Sequence, residues 1–187
     1  ILAKLQKKYP QLTILEDTIK YHGPKVIALY DYAIKNKIDY VFQTDSDGQT
    51  NPQEFHQFWQ LRHEYEAIIG NRFERSDGLF RVFVQSVLLL ILKTIFGVKI
   101  PDANAPFRLM KSSLVKKYII KLPEDFNLPN VMLTTYFSFF HEKIKFVEIS
   151  FKQRQGGSNS INIKKIIKIG WKALDDFKQL KKHIYDE

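Results

Sequence analysis

Two patterns of apolar residues alternate along this chain: short continuous runs, and apolar residues that recur at helical spacing. Short apolar runs of strand length, bounded by turn-forming residues, predict strands at 12–16, 40–44, 67–71 and 144–151. Apolar residues spaced three and four apart predict helices at 24–36, 52–66 and 131–140, and a polar loop is predicted at 99–108. Because strands that alternate with helices favour parallel βαβ units, we expect an α/β fold rather than an all-β one.

The most hydrophobic segment, residues 79–96, leaves two alternatives open. Its apolar runs are interrupted by Arg81, Gln85, Ser86 and Lys93, which argues against a helix that spans a bilayer. The segment is then either a helix buried in the core or a helix that lies at a membrane interface.

The last segment, residues 162–185, is predicted to be a basic amphipathic helix. Its apolar residues recur at helical spacing, and lysines fill many positions between them, among them Lys164, Lys165, Lys168, Lys172, Lys178, Lys181 and Lys182. A surface helix with a solvated lysine face fits this pattern, and so does a helix attached to anionic lipid headgroups. The sequence alone leaves the two open.

Composition narrows the classes of protein without choosing one. With 187 residues, 44% of them hydrophobic and 14% aromatic, the chain is long enough and apolar enough for one folded domain, which excludes disorder. The absence of cysteine excludes disulfides and thiolate metal sites and fits a reducing compartment. The net charge of +9 favours an anionic partner, namely nucleic acid, an acidic membrane surface or a phosphorylated substrate.

Two carboxylates, Asp45 and Asp47, follow the predicted strand at 40–44. If the strand continues through them, residues two apart point to the same side, so both side chains are presented to one point. Mg²⁺ or Mn²⁺ takes such oxygens and completes its shell with waters and phosphate oxygens. The same residues, followed by Gly48, also make a common solvated turn, so the pair alone does not decide between a metal site and a turn.

Five short motifs stand in order along the chain. They are Gly-Pro-Lys-Val-Ile-Ala-Leu at 23–29, Asp-Ser-Asp-Gly-Gln at 45–49, Gly-Asn-Arg at 70–72 with a later Arg81, Pro-Asp-Ala-Asn-Ala-Pro-Phe-Arg-Leu-Met at 101–110, and Arg-Gln-Gly-Gly-Ser-Asn-Ser at 154–160. In this order they resemble the motifs of family 2 glycosyltransferases of the GT-A type, and within that family those of the polyprenyl-phosphate sugar transferases related to dolichyl-phosphate mannosyltransferase. Two places depart from the family pattern, since Ala105 and Pro106 replace a Ser-Gly pair and Asn159 stands where lysine is common.

The resemblance implies a GT-A fold, with a mostly parallel central sheet flanked by helices, for a single domain that spans residues 1–187. The family's first βαβ unit has no counterpart ahead of Ile1, so we expect an incomplete or degenerate copy of the domain. By the same resemblance, Asp102 and Arg108 are catalytic, and the donor is bound by Lys25, Asp45, Asp47 and Arg72, with Asp45 and Asp47 also holding Mg²⁺ or Mn²⁺. The residues implied to bind the acceptor or its phosphate are Arg81, Arg154 and Ser158.

The activity implied by the resemblance is an inverting transfer of a sugar from a nucleotide-diphospho-sugar to a polyprenyl phosphate, at the cytoplasmic face of a membrane. The alternative acceptor is a saccharide hydroxyl in polysaccharide synthesis. A lipid phosphate is already ionised, whereas a hydroxyl requires a base, for which Asp102 is the candidate. Two other classes stay open: a basic nucleic-acid-binding module, although zinc-ligand spacing and RNP-like aromatics are lacking, and a non-catalytic membrane scaffold.

Overall fold

The computed structural model of the chain describes residues 2–15, 21–72, 79–152 and 163–185, with the backbone alone at 79–81, 163–171, 183 and 185. In these residues the helices are α1 (Leu2–Lys8), α2 (His22–Lys35), α3 (Phe55–Leu61), α4 (Leu79–Phe96), α5 (Ser112–Ile119), α6 (Pro129–Phe139) and α7 (Ile163–Tyr185), with a 3₁₀ turn at Pro52–Glu54. The strands are β1 (Tyr40–Gln43), β2 (Ala67–Arg72), β3 (Arg108–Lys111) and β4 (Ile144–Ile149). The predicted α/β class is confirmed.

The four strands form one mixed sheet in the order β1-β3-β2-β4. β3 pairs antiparallel with both β1 and β2, whereas β2 and β4 pair in parallel. The expectation of a mostly parallel sheet is therefore wrong for the described strands, because two of the three pairings are antiparallel. The strand responsible is β3, which starts at the end of the predicted polar loop and inserts between two strands that run the opposite way.

Most predicted elements form within a few residues of their expected bounds, but two do not. The strand expected at 12–16 is not formed over 12–15, where Leu12 N instead donates to Tyr9 O at 2.9 Å and continues the turn after α1. The helix expected at 52–66 is divided into the 3₁₀ turn and α3. Asn51 caps the 3₁₀ turn by accepting a hydrogen bond from Gln53 N, so the helical segment begins where the sequence predicts.

Hydrophobic side chains on the two faces of the sheet build two separate core clusters. Successive residues of β2 and β3 point to opposite faces, so Ile69 and Met110 join one cluster, and Ile68 and Leu109 join the other. The larger cluster packs α2, α4, α5, α6 and α7 against the sheet, and the smaller cluster packs Phe58 of α3. Helices therefore cover both faces of the sheet, which leaves the strand ends for a site.

Both α4 and the loop that follows it differ from a simple interpretation of the sequence. α4 is buried through Leu92 and Phe96, but Phe83 and Leu90 are exposed on another face, so the helix is only half buried. None of the helices in the described residues combines the length and the apolar character needed to cross a membrane. The loop predicted to be polar at 99–108 is largely buried instead, because apolar side chains within it reach the core.

Candidate functional site

Four strand ends meet at one edge of the sheet. β1, β2 and β4 end there, and β3 begins there, because β3 runs opposite to the other three strands. Arg108, the first residue of β3, stands in register with Gln43 of β1 and with Ile69 of β2. Asp45 follows β1 by two residues, and Arg72 ends β2. The edge therefore gathers site residues predicted from three separate motifs.

The segment with Asp45 and Asp47 is a loop rather than an extension of β1. The strand ends at Gln43, and residues 46–48 bend with a positive φ of 75° at Gly48, so the same-side geometry expected for a continuous strand does not apply. Gln49 N donates to Asp47 Oδ1 at 3.2 Å, which closes the turn. Beyond the turn, the side chain of Gln49 donates to Lys152 O at 2.9 Å and ties the loop to the segment after β4.

The carboxylate of Asp45 lies in a field of several charges. Partial burial raises the pKa of Asp45 above its ordinary value; nearby His22 lowers it and Asp47 raises it, with smaller lowering effects of Arg72 and Arg108. The carboxylate of Asp47 is thus close enough to disfavour ionisation of Asp45. A bound cation would relieve that repulsion.

These carboxylates suit an open metal site. Among the described residues there is no group of three or more His, Cys, Asp or Glu side chains that could hold a metal ion. Mg²⁺, however, is commonly bound through one or two carboxylates, with waters and substrate phosphates completing its shell. Asp45 and Asp47 fit that type of site, in which the ligand supplies oxygens that the protein does not.

Arg72 and Asp102 form a two-point ion pair beside the loop. Arg72 Nε donates to Asp102 Oδ2 at 2.6 Å, and Arg72 Nη2 donates to Asp102 Oδ1 at 2.8 Å. Arg72 Nη2 also donates to Asn104 O at 3.3 Å, and its guanidinium lies 5.0 Å from the centre of the Phe151 ring. Such a pair fixes the plane of the guanidinium, so Arg72 is held in one orientation at the edge.

Asp102 itself is inaccessible to solvent. Its side chain is fully buried, and Oδ1 accepts a further hydrogen bond from Asn104 N at 3.1 Å. Both carboxylate oxygens therefore face Arg72. In this arrangement Asp102 orients Arg72 and organises its own loop, rather than presenting a free oxygen to an acceptor hydroxyl.

Arg108 is also fully buried. Its buried guanidinium donates to Ala105 O at 3.1 and 2.7 Å, to Asn130 O at 3.1 Å and to Thr134 Oγ1 at 3.3 Å. Burial lowers the pKa of Arg108, while Tyr30 and Asp102 act in the opposite direction. Arg108 therefore ties the Asp102 loop to α6 and does not reach the surface of the site.

A buried tyrosine from α2 completes the polar layer under the site. The Tyr30 hydroxyl donates to Gln43 Oε1 and lies 3.5 Å from Asn130 Oδ1. Burial raises the pKa of Tyr30 to about 12, against the opposing charge of Arg108. The phenol thus stays neutral and links α2, β1 and α6.

Of the remaining predicted site residues, one is not brought into this cluster and three have side chains outside the described residues. Lys25 is exposed on α2, and within the described ranges it makes no hydrogen bond or ion pair with Asp45, Asp47 or Arg72. The side chain of Arg81 lies outside the described residues. The same holds for Arg154 and Ser158, so the predicted acceptor residues have no described position.

Several residues of the edge escaped the prediction from sequence. His22 directly precedes the Gly-Pro-Lys motif, and its position there is the one signal that could have found it. Tyr30 and Asn130 lie on helices whose apolar spacing gives no hint of a polar role. Phe151, which covers Arg72, follows β4 and resembles any strand-end aromatic in the sequence.

No protein-family model matches this chain, and no curated protein matches its sequence. The resemblance to family 2 glycosyltransferases therefore rests on the five sequence motifs.

Proposed function

We propose that this chain is an inverting glycosyltransferase that moves a sugar from a nucleotide-diphospho-sugar to an ionised acceptor, a polyprenyl phosphate. The observation that carries the proposal is the meeting of Asp45, Asp47 and Arg72 at one edge of the sheet. In open α/β sheets, ligands bind outside the carboxyl ends of the strands, where these three residues lie.

The edge offers both kinds of group that a diphosphate needs. When Mg²⁺ or Mn²⁺ is bound by Asp45 and Asp47, it supplies positive charge that neutralises the leaving diphosphate. Arg72 supplies directed hydrogen bonds, because in the described residues no protein atom accepts one from its Nη1 nitrogen. Asp102 keeps this nitrogen in place by holding Nε and Nη2 of the same guanidinium.

The ion pair of Asp102 favours an acceptor that needs no base. A saccharide hydroxyl must lose a proton during attack, which requires a base within hydrogen-bond reach. Both oxygens of Asp102 accept hydrogen bonds from Arg72, so the carboxylate predicted as base is already engaged. A lipid phosphate carries its negative charge before the reaction, which is why we prefer it to the saccharide acceptor. Such an acceptor would place the protein at the cytoplasmic face of a membrane.

A transfer assay with labelled nucleotide sugars tests the proposal. The Asp45→Asn, Asp47→Asn double variant is expected to lose at least about a hundredfold in transfer to a polyprenyl phosphate, since charge stabilisation of the leaving group is typically worth that much. Asp39→Asn is the matched control, because Asp39 is an exposed carboxylate just ahead of the other end of β1. Undiminished transfer by the double variant would contradict the proposal.

The choice of acceptor is tested separately from the donor site. Supplying either polyprenyl phosphate or an oligosaccharide as the only acceptor distinguishes the two transferase reactions. Transfer to the oligosaccharide alone would keep the donor site and overturn the preferred acceptor.

A further inference from the structure

One face of α4 leaves large apolar side chains in solvent. Their exposed fractions are 40% for Val82, 64% for Phe83, 40% for Val87 and 63% for Leu90. On the opposite side, Leu92 is buried in the core of the domain. We call Val82, Phe83, Val87 and Leu90 the α4 apolar face. Single exposed apolar residues are ordinary on a protein surface, but four on successive turns of one helix form a patch.

Lysines border this patch at the C-terminal end of α4. Lys178, Lys181 and Lys182 of α7, here called the lysine cluster, line an open cavity of about 370 Å³ together with Thr94 and Ile95 of α4. No carboxylate is among the described residues that line it. Phe177 of α7 packs against Phe96 of α4 with ring centres 6.5 Å apart, which fixes the two helices side by side.

One acidic residue of α7, Asp176, lies away from the lysine cluster. Asp176 lines a separate cavity with Lys172 and Asp125, on the side of α7 that faces the segment after α5. The lysine cluster itself lies on the side of α7 next to α4. A positive border next to an apolar face is the arrangement that an interfacial helix uses on anionic lipid.

We propose that the α4 apolar face and the lysine cluster dock the protein on an anionic lipid surface. Phe83 and Leu90 would enter the boundary between headgroups and acyl chains, while the lysines would contact the headgroups. A second copy of this chain is a poorer occupant, because it would bring the same lysine cluster and a net charge of +9 toward itself.

Helix α4 stands between the docking surface and the candidate site. Gln85, on the side of α4 away from Phe83 and Leu90, donates to Pro101 O at 3.4 Å, and Pro101 precedes Asp102. A membrane bound to the α4 apolar face would therefore lie across α4 from the loop that holds Arg72. The link to a lipid-borne acceptor rests on the proposed function, whereas the docking surface does not.

Co-sedimentation with vesicles tests the docking surface. The chain is expected to bind vesicles that contain phosphatidylglycerol and to bind pure phosphatidylcholine vesicles at least about tenfold more weakly. Phe83→Gln with Leu90→Gln should lower the partition coefficient by about tenfold or more, because two large apolar side chains no longer enter the lipid. Lys178→Gln, Lys181→Gln and Lys182→Gln together should have a similar effect.

Matched variants separate docking from general charge and hydrophobicity. Leu2→Gln with Leu29→Gln removes two exposed apolar side chains elsewhere, and Lys35→Gln, Lys37→Gln and Lys145→Gln together remove three scattered exposed lysines. Both controls are expected to bind like the unchanged chain. Equal losses in the controls and the test variants, or unchanged binding in the α4 variant, would overturn the proposal.

Two further readouts keep the outcomes distinct. Light scattering reports self-association, and a dimer that the α4 variant dissociates, with vesicle binding unaffected, would assign the face to a second copy instead. Binding of a nucleotide sugar is measured on the same variants without vesicles and should not change. Vesicle binding without nucleotide-sugar binding would contradict the proposed function and leave the docking surface standing.

Discussion

The candidate site has two halves that are built in different ways. Arg72, Asp102 and Arg108, here called the buried half, are joined by short hydrogen bonds to one another's loops and to α6, largely away from solvent. The loop at 44–50, here called the open half, keeps its carboxylates only partly buried and is closed mainly by a turn at Gly48.

The difference between the halves suggests different roles: the buried half supports the geometry of the site, and the open half binds the ligand. In the buried half each charged group already has protein partners, so it holds geometry that a ligand can rely on. In the open half, burial and the charge of Asp47 disfavour the ionised form of Asp45, and a bound cation would favour it. Substitutions in the buried half should therefore act first on stability, and substitutions in the open half first on binding.

The largest effect on stability is expected from Arg108→Met. The change removes the arginine donor to Ala105 O and Thr134 Oγ1, whereas Asn130 O keeps its hydrogen bond from Thr134 Oγ1, so the free energy of unfolding should fall by about 3 kcal/mol. Denaturant titration followed by circular dichroism measures it. Lys111→Met, at the other end of β3 where the side chain is only partly buried, serves as the control and should change stability little. A similar loss in both variants would remove the distinction between the two ends of β3.

A smaller loss is expected from Asp102→Asn. The amide keeps one acceptor for Arg72 but loses the charge and the second short hydrogen bond, so the free energy of unfolding should fall by about 2 kcal/mol. Nucleotide-sugar affinity should fall as well, because Arg72 is no longer held in one plane. Titration calorimetry measures the affinity, with the exposed Glu124→Gln as control. Full affinity in the Asp102 variant would show that Arg72 needs no support.

Asp45→Asn should behave in the opposite way, with slightly higher stability and lost binding. Because the folded-state pKa of Asp45 is raised, ionisation opposes folding, and the stability contribution present at low pH is lost as the pH rises through that folded pKa. The variant should therefore flatten this fall and gain less than about 1 kcal/mol at neutral pH. Unfolding curves collected over a pH series measure the slope, and an unchanged slope would contradict the assignment.

The smallest effect on stability is expected from Glu142, at the end of the sheet away from the site. The pKa of Glu142 is shifted in the opposite direction to that of Asp45. Burial raises the pKa of Glu142, but hydrogen bonds from Lys117 and Tyr118 outweigh it and leave the pKa lowered. Its contribution is therefore present above the unfolded-state pKa and lost as the pH falls through the folded pKa. Glu142→Gln should cost about 0.5 kcal/mol at neutral pH and nothing in strong acid. A cost that persists in acid would contradict the ion pair.

The parts of the fold that local pattern controls could be predicted from the sequence. α2 and α6 show clear helical spacing, and β2 is a short apolar run between turns, so their bounds were nearly right. β3 was missed because its four residues begin with a buried arginine, and a charged residue at a strand start looks like loop. The position of β3 between β1 and β2 depends on long-range pairing, which no local pattern records.

The types of residue in the site could be predicted from the sequence, but which of them are buried and which are open to a ligand could not. Asp45, Arg72 and Asp102 each stand at a strand end or in a loop, and so their meeting at one edge follows from α/β geometry. The ion pair between Asp102 and Arg72 depends on side-chain packing across β2, β3 and α6, and so does the burial of Arg108. The sequence around Asp102 would be the same whether Asp102 were an accessible base or, as here, the buried partner of Arg72.

The most direct measurement of the central claim is a titration of Mn²⁺ followed by electron paramagnetic resonance, with and without a panel of nucleoside diphosphates. We expect the chain to bind Mn²⁺ much more tightly when a fitting diphosphate is present, because Asp45 and Asp47 supply only part of the shell. The Asp45→Asn, Asp47→Asn variant should lose this binding and Asp39→Asn should keep it. Equal Mn²⁺ and diphosphate binding in the double variant and the unchanged chain would contradict a metal site at Asp45 and Asp47.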